Sequence, residues 1–267
     1  MMKTQSITAT VLILLCLATA PAWAQRGGGQ RADDEEPAAE MNESSFRQTV
    51  LLDLAAWRHD DARTLMEETK AKFGKSTGFE VAWALMLAQE RQLDKAATKL
   101  NSITRKSSQD PSAPYFLGEI LSWQKKRTPA TKAWKQARDR AETLVENDAK
   151  NGWGWYWRGA SQIRLGKYSQ AEQYLKKALK NGADRAMTQF QLGLALMYQE
   201  RWDEARKAFD TCLKTDSGFS HAYYYRGRVW QKLKKTEKML LDMDRFLKLA
   251  PDTREANAAR SILRAGG

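Results

Sequence analysis

Small and large apolar residues recur along this chain in three columns that share one period. Ala62, Ala96 and Ala130 are spaced by 34 residues, as are Ala171 and Ala205, and Met239 holds the next step. Twelve residues upstream of this column run Val50, Ala84, Gly118, Gly159, Gly193 and Gly227, and four residues downstream run Met66, Leu100, Trp134, Leu175, Phe209 and Met243. A period of this length, with apolar positions at helical spacing inside it, predicts a pair of helices per unit. The small residues let the two helices approach closely, and the large residue four later fills the space on the same face. Gly166 falls where the first helix of its unit must stop and turn.

The spacing from Ala130 to Ala171 is 41 rather than 34. Seven extra residues are about two helical turns and hardly change helical phase. The apolar stripe continues through the insertion at Trp134, Ala137, Ala141, Leu144 and Val145, so the second helix of unit three is expected to be longer than its neighbours. After Pro251, the spacing of Ala256, Ala259, Ile262 and Leu263 among charged residues predicts an amphipathic helix closing the last open face.

Within the units, residues recur as Trp155…Gly159…Leu165-Gly166-Lys167-Tyr168…Ala171…Leu175…Ala178-Leu179, then Leu192-Gly193…Trp202…Ala205…Phe209…Cys212-Leu213, then Tyr223, Gly227, Trp230, Met239, Phe246-Leu247 and Pro251. Trp83, Leu87, Leu93, Ala96 and Leu100 mark the same positions in unit two. This pattern resembles the tetratricopeptide repeat, with its Trp, Leu-Gly, Tyr, Ala, Phe and Pro at fixed offsets. The resemblance implies an all-α, right-handed superhelical solenoid of about six helical hairpins with a C-terminal capping helix. The units fall near 43–76, 77–110, 111–151, 152–185, 186–219 and 220–251, with the cap and tail in 252–267. Unit one departs furthest, with Val50 and Thr69 in small-residue slots, and reads as a plain helical hairpin in the same register.

The N-terminal segment has a different pattern. Lys3, the short apolar run Val11–Leu17 and Ala22-Trp23-Ala24 read as a secretory signal peptide over 1–24, cleaved to leave Gln25. Residues 25–42 are glycine-rich, then acidic, and read as a flexible linker. Cleavage would remove Cys16 and leave Cys212 alone, so the mature chain has no internal disulfide. That suits a bacterial periplasm or envelope better than an animal secretory route.

Of the 267 residues, 28% are charged and the formal net charge is +12, which makes most of the chain globular and basic. With a signal peptide and lysines spread along helices, nucleic acid is not the expected partner. Acidic segments, or peripheral contact with an anionic membrane or cell wall, suit the charge better. Gly74-Lys75-Ser76-Thr77 has the end of a phosphate loop, but Thr69 stands where the motif needs glycine and no strand precedes it. Two histidines, His59 and His221, offer neither a zinc pair nor a catalytic triad. Cys212 sits in a packing slot, where a buried inert thiol is expected. The chain is read as a non-enzyme with no cofactor and no metal site.

What remains is a surface. In the tetratricopeptide family the first helices of successive units line a concave groove that holds peptides. Carried over by column, that groove comprises Tyr115 and Trp123 from unit three, Trp153, Tyr156 and Arg164 from unit four, Phe190, Met197 and Tyr198 from unit five, and His221, Tyr224 and Arg228 from unit six. Ala160 and Leu194 stand where a carboxylate clamp would want asparagine. The expectation is an adaptor that binds a segment of another protein in assembly or maintenance of an envelope complex, with a glycan or lipid ligand in the same groove as the alternative.

Overall fold

The computed structural model describes residues 41–56 and 58–266. The expected signal peptide and most of the linker lie outside them. Thirteen helices run through the described residues, which contain no strand. They form six hairpins and a cap: α1 (Glu43–Ala55) with α2 (His59–Phe73), α3 (Thr77–Gln89) with α4 (Leu93–Lys106), α5 (Ser112–Trp123) with α6 (Arg127–Asn147), α7 (Gly152–Arg164) with α8 (Tyr168–Lys180), α9 (Arg185–Tyr198) with α10 (Trp202–Thr215), α11 (Ser220–Lys232) with α12 (Thr236–Leu249), and α13 (Ala256–Gly266). From α3 onward each helix packs on the next, as in a solenoid.

The three columns form the seam inside each hairpin. Ala62, Ala96, Ala130, Ala171 and Ala205 are all completely buried. A methyl group placed on Gly118 would strike the Trp134 ring at 2.4 Å, on Gly159 Leu175 at 2.7 Å, on Gly193 Phe209 at 2.5 Å, and on Gly227 Met243 at 2.8 Å. Each glycine of the second column thus receives the large side chain of the third. The thiol of Cys212 is buried in α10, and burial raises its pKa far above the usual thiol range.

Helix starts and stops follow from local chemistry. Several first helices are capped by a side chain: Asn42 accepts from Ser45 N–H, Ser76 from Phe79, Asn151 from Gly154 and Asp184 from Met187. Ser76 therefore serves as a helix cap, and Gly74 closes α2. First helices end in a left-handed residue: Arg91, Lys125, Gly166, Glu200 or Lys234, with φ between 57° and 74°. The following N–H reaches back into the helix, as in Gln92 to Leu87 C=O at 2.9 Å and Lys167 to Gln162 C=O at 2.8 Å. Helix α6 has 21 residues against 14 in α10, and α13 covers a terminal cluster built on Met239, Met243, Phe246 and Ala259.

Candidate protein-binding face

The expected groove residues lie on the first helices α5, α7, α9 and α11, some of them packed and buried and others exposed. Tyr115, Tyr156, Met197 and Tyr224 are buried. Tyr115 lies 5.3 Å from the Trp157 ring, and Tyr156 lies 5.0 Å from it. Trp153 is half-buried and meets Tyr156 edge-on at 5.2 Å. Phe190, also half-buried, packs on Phe219 at 4.9 Å, and Tyr224 packs on Phe246 at 5.1 Å. Trp157 and Phe219, which the column reading did not place in the groove, hold these packed residues together. Both are nearly fully buried.

Beneath the face sits one ion pair. Arg164 Nε donates to Glu119 Oε1 at 2.7 Å, and the same oxygen accepts from Trp134 Nε1 at 3.0 Å. Burial opposes the guanidinium charge, but Glu119 and the surrounding phenols outweigh it, and the Arg164 pKa is raised well above normal. Burial pushes Tyr115 up to about 12 and raises Tyr156 further, so both phenols stay neutral. His221 faces Glu255, with Nε2 and Oε2 3.7 Å apart. Burial would raise the Glu255 pKa, but His221 brings it below the usual carboxylate range.

The exposed residues are Trp123, 38% exposed, Tyr198, 43% exposed, and Arg228. Tyr198 stacks on Tyr168 at 5.0 Å, and Arg254 from the C-terminal turn lies 5.7 Å over the Trp123 ring. Trp83 on α3 is likewise exposed. Part of the basic excess lies over other rings: Arg158 sits 4.3 Å from Tyr174, Lys177 4.4 Å from Trp155 and Lys238 4.8 Å from Trp230.

Helix α1 does not behave as an ordinary repeat helix. Phe46 stacks on Phe73 and Phe79 of its own and the next hairpin. The helix also crosses the starts of first helices further along. Arg47 Nη2 donates to Asp110 Oδ1 at 2.6 Å and to Ser112 Oγ at 2.8 Å. Ser220 Oγ donates to Ala56 C=O at 3.0 Å, and Arg58 Nη1 to Asp216 Oδ2 at 2.7 Å. An open cleft of about 480 Å³ remains between α1 and α7, walled by Leu51, Leu144, Trp153 and Trp157. Arg91 Nη2 donates to Asp252 C=O at 3.1 Å. Sequence reading missed the aspartates in this arrangement. Their signal was one aspartate shortly before the first helix of each unit from three to six: Asp110, Asp148, Asp184 and Asp216.

Among the described residues, no group of three or more His, Cys, Asp or Glu could hold a metal ion, and no helix is long and apolar enough to cross a membrane.

Comparison with known families places the class. Two tetratricopeptide-repeat family models match residues 133–186 and 186–219. No curated protein sequence matches the chain. Among solved structures, TTC0263, a tetratricopeptide protein of Thermus thermophilus, is 17% identical with a TM-score of 0.56, covering 71% of this chain and 100% of its own. YrrB, described as a tetratricopeptide protein with an unusual peptide-binding site, is 21% identical with a TM-score of 0.43, covering 73% and 97%. PilF of Pseudomonas aeruginosa is 14% identical with a TM-score of 0.40, covering 82% and 96%. Residues 133–219 thus match tetratricopeptide-repeat models, and the fold is a tetratricopeptide-type solenoid. Repeats of this family generally mediate protein–protein interactions and serve as non-catalytic scaffolds.

Proposed function

We propose that this protein is a non-enzymatic adaptor of the bacterial envelope that holds a segment of another protein on the side formed by its first helices. One observation carries the reading. Of the four large apolar side chains exposed among the described residues, Trp83, Trp123, Tyr198 and Leu241, three lie on first helices, and Arg228 joins them from α11. Exposed aromatics and arginine on the first helices of a repeat scaffold are the residue types of a protein-binding hot spot.

The test is a cross-linked pull-down from the native envelope, with a Trp123→Ala, Tyr198→Ala, Arg228→Ala variant as control. These three side chains are chosen because they are exposed, whereas replacing Tyr156 or Tyr224 would unpack the solenoid. A protein captured by the unaltered chain and lost by the variant is expected. Equal capture by both overturns the assignment of this face. Export is tested separately: the mature chain should begin at Gln25, and recovery of intact chain from the cytoplasm alone would overturn it.

A further inference from the structure

Three of the four large apolar side chains exposed among the described residues lie on first helices, and the fourth, Leu241, stands on the second helix α12, 70% exposed. The repeat makes a leucine unusual there. One and two periods earlier, on α10 and α8, the same column holds Lys207 and Gln173, both exposed. The position faces water in all three helices, and the first two carry polar side chains at it. Packing does not account for Leu241, because its neighbour Leu240 is the one that turns inward onto the terminal cluster.

Helical spacing sets cations around this leucine. Lys238, Leu241, Arg245 and Lys248 follow one another by three, four and three residues, which lays them along one stripe of α12, and all four are exposed. Lys234 and Lys235, also exposed, precede them in the turn that opens the helix. Glu237 and Asp244 border the stripe, so five cations stand against two carboxylates. Asp244 holds Lys248 Nζ at 2.6 Å. Lys238 lies over the Trp230 ring, and neither it nor Arg245 forms an ion pair among the described residues.

A leucine protruding between cations offers apolar surface at its tip and positive charge around it. An anionic bilayer offers the matching arrangement, with phosphates at the headgroup level and hydrocarbon just below, and it receives a protruding side chain without a preformed pocket. An acidic peptide would answer the cations and leave the leucine unused. We propose that the outward face of α12 is a peripheral membrane contact, in which Leu241 enters the headgroup–acyl boundary of an anionic bilayer and the surrounding lysines and Arg245 lie against lipid phosphates. One leucine and a few cations give reversible binding rather than permanent anchoring. The inference is independent of the adaptor reading, since none of these residues belongs to a first helix.

The mature chain carrying Leu241→Cys is labelled at that position with an environment-sensitive dye, while Cys212, fully buried, stays unmodified. Vesicles of phosphatidylcholine with about 30% phosphatidylglycerol are expected to shift the dye emission to the blue and to bind about tenfold more tightly than pure phosphatidylcholine. Sodium chloride at about 0.5 M should release the protein by screening the phosphates. In co-sedimentation of the unlabelled chain, Leu241→Gln keeps every cation and should weaken binding about tenfold. Lys238→Glu together with Arg245→Glu should abolish it. Unaltered circular dichroism of these exposed-face variants shows that the fold survives. No sedimentation with the anionic vesicles, or equal binding to both kinds of vesicle, overturns the proposal. So does sedimentation without a blue shift, or at full strength in Leu241→Gln. Binding of polyglutamate that matches vesicle binding and ignores Leu241→Gln assigns the face to an acidic protein segment instead, and likewise overturns the membrane contact.

Discussion

At Gly193 a single methyl group would come within 2.5 Å of the Phe209 ring, whereas at Gly166 nothing lies within 4 Å. The two glycines are therefore needed for different reasons, and alanine separates them. Gly193→Ala must push a fully buried phenylalanine out of the seam and should cost about 2–3 kcal/mol. Gly166→Ala meets no clash and should cost about 1 kcal/mol, because φ is +74° and an L side chain resists that region. Urea unfolding of both variants checks the ranking, and equal costs would mean that packing does not set the glycine column. The converse substitution, Lys234→Gly at φ 57°, should stabilise by about 0.5 kcal/mol, the left-handed strain relieved less the added chain entropy. The column glycines were legible in the sequence because close helix approach repeats them in units three to six. Arg91, Lys125, Glu200 and Lys234 were not, since among these first-helix ends Gly166 alone announces a left-handed turn by its residue type.

Among the elements, the hairpins from α3 onward follow the periodicity, because each buries its seam against neighbours of the same kind. Helix α1 departs from them. Its apolar residues Phe46, Val50, Leu51 and Leu54 fit a repeat helix, so the sequence showed a hairpin. The bonds of its Arg47 to Asp110 and of Arg58, just past its end, to Asp216 span 63 and 158 residues and leave no mark at helical spacing. The candidate face was legible in the same partial way. Column arithmetic put Tyr115, Tyr156 and Trp123 on one side, but whether a ring lies inside or outside depends on Trp157 and on neighbours supplied by other units. The start of α2 also brings the two histidines into one neighbourhood. Burial lowers the His59 pKa, with Asp60 and Asp252 opposing and Arg63 and His221 assisting. A histidine held below its unfolded value of 6.5 favours the folded state only while neutral. Stability should therefore fall as pH drops through the mid-six range toward the lower folded pKa. A second loss should follow below the ordinary carboxylate range, where Glu255, held low by His221, takes up its proton. Thermal melts of His59→Gln should lose the first decline and keep the second. An unchanged profile would remove His59 from the account.

For the whole molecule, the contacts of Arg58 with Asp216 and of Arg91 with Asp252 tie early units to late ones. An open solenoid has only neighbour-to-neighbour terms, and its ends fray independently of its middle. Here Arg58, 19% exposed, bridges Asp216 and the 2% exposed Asp53, so unfolding either end uncovers a carboxylate held by the other. The clasp should make the repeats unfold together, in one transition seen alike by circular dichroism and by tryptophan fluorescence. Arg58→Ala removes the guanidinium shared by Asp53 and Asp216 and should lower stability. The cost should fall first on the α1–α2 hairpin, so the variant should show two transitions. The earlier one would grow as salt screens the remaining Arg47–Asp110 pair. Asp216→Asn should give a milder form of the same split, since it keeps the turn to Gly218 and removes only the charge. A single transition in Arg58→Ala, shifted but not divided, would mean that apolar packing of α1 on Phe73 and Phe79 unites the molecule without the clasp.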